Sequence, residues 1–119
     1  MTVELKTELG SIDIAKDVIA TIAGSVAVEC YGIAGMASQK QIKDGLSELL
    51  GRENFQRGVV IRQEGEYLHI DLYIIVSYGT KISEVAFHVQ KKVKEEVQKL
   101  LGIDIDSVNV FVQGVRVAE

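Results

Sequence analysis

Apolar positions along this chain recur with two periods, two and about 3.6, and the switches between them mark out its elements. Residues 2–9 alternate, with Val3, Leu5 and Leu9 on one side and Glu4, Lys6 and Glu8 on the other. That predicts a strand at a sheet edge. Gly10 breaks it, and Ile12 and Ile14 resume the alternation. From Lys16 the spacing turns helical: Val18, Ile19, Ile22, Ala23, Val26 and Ala27 recur at three and four. Asp17 falls in the first turn, where a negative charge suits the helix dipole. The helix is predicted to reach Cys30 or Tyr31, with Gly32 as its C-cap. Gly24 weakens it by ~1 kcal/mol relative to Ala and offers a place for another element to approach closely.

The stretch 38–51, "SQKQIKDGLSELLG", predicts a shorter second helix with Ile42, Leu46, Leu49 and Leu50 as its stripe. Two strands follow, Val59 to Arg62 and Tyr67 to Ser77, joined by the hairpin turn "QEGE". Leu68, Ile70, Leu72, Ile74 and Val76 occupy one face of the second strand. The clearest helix spans residues 81–101, with Thr80 as N-cap and Gly102 closing it. Its stripe is Ile82, Val85, Ala86, Val89, Val93, Val97 and Leu100, and Lys91, Lys92, Lys94, Glu95 and Glu96 cover the opposite side. A last strand, 105–117, alternates Val108, Val110 and Val112. Gly114 then shifts the register as a bulge does, which would keep Val115 and Val117 buried.

The element order is β-α-α-β-β-α-β. The step from strand 67–77 through the long helix to strand 105–117 predicts a parallel pair, and the other pair is antiparallel. The fold class is α+β: one two-layer domain over residues 1–119, with helices on one face of a small mixed β-sheet. At 119 residues, 47% of them hydrophobic, the chain can bury a core of its own. No run of ~20 apolar residues predicts a membrane span, and "MTVELKTELG" lacks the apolar region of a signal peptide. The single cysteine, Cys30, excludes an intramolecular disulfide and fits a reducing cytoplasm.

Chemistry is sparse. The two histidines, His69 and His88, stand at no metal-ligand spacing. Cys30 reads as a small buried hydrophobe. Glu64 and Glu66 flank a turn glycine, and Asp104 and Asp106 precede the last strand without the glycine and distal Glu of a calcium loop. No phosphate-binding or nucleophile-elbow motif is present. We expect no catalytic set, metal or cofactor. The sheet face opposite the helices does stand out. It carries Tyr67, His69, Asp71, Tyr73, Ile75, Asn109 and Phe111, and Tyr73, Ile75 and Phe111 are expected to form an exposed partner-binding group.

The stretch "LGSIDIAKDVIATIAGSVAVECYGIAGMA" resembles the N-terminal signature of the alkaline shock protein / Gls-type general stress protein family. The pattern rests on Gly10, Ile12, Ile14, Val18, Ile19, Ile22, Ala23, Gly32, Ile33, Gly35 and Met36. "GVVI", "IDLYIIVSYG" and "VNVFVQGV" are similar to the family's later blocks, so the resemblance covers nearly the whole chain. Ala15 and Lys16 depart from it where relatives often open the helix with Ser or Pro. The resemblance implies a non-enzymatic cytoplasmic protein of Gram-positive bacteria in stress response and cell-envelope homeostasis. It also implies self-association into a homo-oligomer and, in some members, a membrane-anchored protein partner.

One alternative stays open. The order β-α-α-β-β-α is also that of a KH domain, and "GIAG" would fall where such domains clamp single-stranded RNA. The residues would be Gly32 and Gly35, with Lys40 and Lys43 nearby. Against it, Ile33 and Ala34 bring no charge to the loop, and the net charge of −4 opposes a phosphate backbone.

Overall fold

The computed structural model describes residues 2–38 and 56–117. In chain order the elements are β1 (Thr2–Thr7), β2 (Gly10–Ala15), α1 (Lys16–Glu29), β3 (Ile33–Met36), β4 (Val59–Glu64), β5 (Tyr67–Ser77), α2 (Ile82–Leu101) and β6 (Ser107–Arg116). The class is α+β, as expected. The helix expected over 38–51 lies outside the described residues beyond Ser38.

The strand order differs from expectation at the N-terminus. Residues 2–15 form an antiparallel hairpin, a two-stranded sheet of its own, with Val3 opposite Ile14 and Leu5 opposite Ile12. Thr7 closes its turn: its hydroxyl accepts the Leu9 N–H at 3.2 Å and donates to the Gly10 carbonyl at 3.3 Å. Leu9 therefore sits at the turn, 101% exposed, and not on the apolar face with Val3.

β5 is the centre of the main sheet. β6 runs parallel along Tyr73 and its neighbours, from His69↔Ser107 to Ser77↔Arg116. Antiparallel β4 pairs with residues 67–72 and antiparallel β3 with residues 74–76. A strand has two edges, so β3 and β4 lie end to end on one of them and β6 takes the other. The parallel β5–β6 pair and the bulge before Gly114 both match the sequence reading. Val115 and Val117 are exposed, however, although Val115 lies opposite the buried Val76 in register.

Leu68, Ile70, Leu72, Ile74 and Val76 of β5 share one core with Ile19, Ala23 and Ala27 of α1 and with Val85, Val89, Val93 and Val97 of α2. Each fully buried valine of this kind stabilises by about 1.5–3 kcal/mol. The valines recur every fourth residue, a single row along α2. Ile82 and Leu100, assigned to the stripe by spacing, are 42% and 62% exposed and lie outside that row. Lys81, not Thr80, is the N-cap, without a side-chain bond, while the Thr80 hydroxyl donates to the Ser77 carbonyl at 2.8 Å. Gly102 caps α2 in the left-handed conformation, φ 70°, and donates its N–H to the Gln98 carbonyl.

The segment "YGIAGMA" is a junction followed by a strand, not an interhelical loop. α1 ends at Glu29, with Cys30 as its extended C-cap. Burial pushes the Cys30 thiol above its ordinary value, against the lowering effect of the Lys92 charge. Gly32 follows with φ +88°, and its carbonyl accepts the Ser77 N–H at 2.8 Å. A Cβ there would lie 2.6 Å from Val85 Cγ2, so both the backbone conformation and the approach of α2 require glycine. Gly35 is buried within β3 opposite Ile75, and Met36 is fully enclosed by the core.

Candidate functional site: the open sheet face

Strand pairing decides which side chains share the face opposite the helices, because residues in register point the same way. Arg62, His69 and Ser107 form one row; Asp71 and Asn109 the next; Tyr73 and Phe111 the one after. The face is thus polar at one end and aromatic at the other.

The polar end is a closed network. Asp71 sits mid-strand, 7% exposed, and a carboxylate there needs partners. Arg62 donates to it twice, Nε to Oδ2 at 2.8 Å and Nη2 to Oδ1 at 3.1 Å. Asn109 Nδ2 donates to Oδ1 at 2.9 Å. Burial alone would raise the Asp71 carboxyl; the Arg62 and Asn109 hydrogen bonds and the Arg62 and His69 charges outweigh it and hold it below the ordinary range. The hydrogen bond to Asp71 likewise raises Arg62.

His69 Nδ1 lies 2.6 Å from Ser107 Oγ, and its Nε2 3.8 Å from Glu64 Oε1. A serine, an imidazole and a carboxylate in sequence can form a nucleophilic site. Here Arg62 Nη1 holds Glu64 Oε1 at 2.7 Å, and Asn109 Nδ2 also reaches Ser107 Oγ at 3.3 Å. The hydroxyl is tied into the network, which fixes the face in one arrangement.

At the aromatic end Tyr73 and Phe111 stack, with ring centroids 4.9 Å apart and planes 16° from parallel. Phe111 is 40% exposed. Of the three residues expected to form an exposed apolar group, these two come together. Ile75 departs from the expectation. It is 7% exposed and sits between Gly35 of β3 and Gly114 of β6 in the sheet.

The alternative reading, an RNA clamp at Gly32 and Gly35, does not find its loop here. Gly32 is in the turn after α1, Gly35 is buried in a strand, and Lys40 and Lys43 lie outside the described residues. The Ile33 N–H donates to the Cys30 carbonyl at 3.3 Å. This segment is built into the sheet and does not form a free loop of backbone donors.

Sequence reasoning places the face and its aromatics but misses the network's partners, Arg62 and Ser107. The signal is present: an Asp inside "IDLYIIV", on a strand paired along both edges, requires a cation or amide donor in register beside it. Away from this face a concavity of about 750 Å³ lies between the hairpin and the end of the main sheet, lined in part by Leu5, Lys6, Gln63, Leu68 and Ile103. Among the described residues no three His, Cys, Asp or Glu side chains converge as metal ligands. No helix among them is long and apolar enough to cross a membrane.

Residues 4–117 match the alkaline shock protein 23 family, described as having a "cell envelope-related function". The chain belongs to this family. The alkaline shock resemblance read from "GSIDIAKDVIATIAG" and "YGIAGM" is therefore confirmed over nearly the full length. YloU of Bacillus subtilis strain 168 is 65% identical over 98% of both chains. Spy1614 of Streptococcus pyogenes serotype M6 is 44% identical over 98% of this chain and 97% of its own length. Among solved structures, MamM-CTD 215-293 is similar in fold, with a TM-score of 0.50 at 14% identity, over 82% of this chain and 96% of that one.

Proposed function

We propose that this envelope-related domain is a non-catalytic interaction module of the cytoplasm, a self-associating scaffold or adaptor in envelope homeostasis and stress response, that docks a protein partner on its open sheet face. The carrying observation is the stacked Tyr73–Phe111 pair, an aromatic platform with Phe111 exposed and Tyr73 half-buried, set beside a polar network whose groups bond one another. Rigid aromatics concentrate binding energy at interfaces. Polar neighbours that already have partners lose little when water leaves, and they orient whatever docks. Family membership supports the envelope setting, and a membrane-anchored partner would bring the module to the membrane without a span of its own.

The test is the double variant Tyr73→Ser with Phe111→Ser, checked for folding by circular dichroism. Affinity capture from native cells and sedimentation are then compared with the unaltered chain. Loss of a captured envelope protein or of the oligomer supports the reading. A folded variant that keeps both overturns it.

A further inference from the structure

β1 has β2 on one side and, among the described residues, no strand on the other. The concavity of about 750 Å³ touches Val3, Glu4, Leu5 and Lys6 of β1 in unbroken succession. Side chains of a strand alternate between its two faces. A space that meets four consecutive residues therefore meets the edge of the strand, where backbone N–H and C=O groups have no strand to pair with. Among the described residues β2 contributes none of the lining, so the edge concerned is the outer one. Four residues of strand run for about 10 Å.

The opposite wall comes from two loops of the main domain. The β4–β5 turn supplies Gly65 and Glu66, and the link from α2 to β6 supplies Ile103 and Asp104. No atom lies within 4 Å of where a Cβ would stand on Gly65, so this side of the space is open. Leu68 is buried, and Leu5 and Ile103 are half-buried, which makes part of the lining apolar. The charge is one-sided. Glu4, Glu66 and Asp104 bring three carboxylates against the single ammonium of Lys6, and Lys6 Nζ already lies 3.9 Å from Glu4 Oε1. Glu66 and Asp104 are exposed, and neither side chain makes a hydrogen bond or ion pair among the described residues.

We infer that this cleft receives an extended basic segment of a protein partner, added as a strand along the outer edge of β1. A free strand edge selects an extended backbone, the apolar lining takes an apolar side chain, and unpaired carboxylates take Lys or Arg. The segment's backbone pairs with Val3–Lys6, its apolar side chain packs on Leu5, Leu68 and Ile103, and its cations meet Glu66 and Asp104. This site is separate from the Tyr73–Phe111 face, and each stands without the other.

The probe is a fluorescein-labelled six-residue peptide of alternating Lys and Val, titrated with the full chain and followed by fluorescence anisotropy. Salt is held near 0.1 M, where exposed charges more than about 10 Å apart are largely screened. Saturable binding is expected. Glu66→Lys with Asp104→Lys should weaken it about tenfold or more. Glu84→Lys with Glu95→Lys alters net charge equally on exposed positions of α2 outside the cleft, and should leave binding within about twofold. All variants are checked for folding by circular dichroism. A second arm uses the unaltered chain: the same peptide N-methylated along its backbone, and so without N–H donors, should not bind. No saturable binding, equal weakening by the two double variants, or undiminished binding of the N-methylated peptide would each overturn the inference. Binding abolished by Tyr73→Ser with Phe111→Ser would also overturn it, because the peptide would then sit on the open face, whose docking role would stand.

Discussion

Arg62 and Asp71 meet through two hydrogen bonds, 2.8 and 3.1 Å long, between neighbouring strands on the open face. The pair anchors the polar half of that surface and makes it sensitive to acid. The Asp71 carboxyl is depressed in the fold, so the unfolded chain takes up its proton at a higher pH than the folded chain. Its contribution is present above the unfolded value, near 3.9, and is lost as pH falls toward the folded one. Arg62→Met removes the largest cause of the depression, so its Asp71 should titrate at higher pH. Carboxyl chemical shifts of Asp71 followed by NMR from neutral to acid pH check this. Asp71→Ala should destabilise by about 1–3 kcal/mol in urea unfolding, through loss of its hydrogen bonds.

Gly32 is expected to tolerate no side chain. Gly32→Ala meets both the φ of +88° and the 2.6 Å approach of Val85 Cγ2. A loss of about 2 kcal/mol or more should appear in denaturant unfolding. Combined with Val85→Ala, which opens the contact, the two losses should fall short of their sum, because the residues touch.

The helix α2 separates spacing from burial. Val93→Ala should cost about 1.5–3 kcal/mol, since its side chain is wholly enclosed. Leu100→Ala should cost less than about 0.5 kcal/mol. Equal losses at the two positions in thermal unfolding would contradict this packing.

Most of the main sheet is legible in the sequence because β5 carries an unbroken alternation from Leu68 to Val76, and because α2 buries one row of valines at helical spacing. The hairpin is half legible. Gly10 reads as a break in one edge strand, since nothing local says whether two short alternating runs pair with each other or with a larger sheet. β3 escapes the pattern because "IAGM" is too short and too rich in small residues to signal a strand; what fixes it is the long-range pairing of Gly35 and Met36 with Ile75 and Ile74. At the candidate site, alternation places Tyr73 and Phe111 on one face. It cannot show that Ile75 is enclosed, because that depends on neighbours brought in from β3 and β6.

The docking role of the open face is tested most directly by photo-crosslinking in the native cell, with p-benzoyl-phenylalanine in place of Phe111 or, separately, of Phe87. Phe87 is also exposed but lies on α2, in the helical layer. Adducts to a second copy or to an envelope protein that form from position 111 and not from position 87 are the expected result. Adducts from position 87 alone, or from neither position in the folded protein, would contradict it.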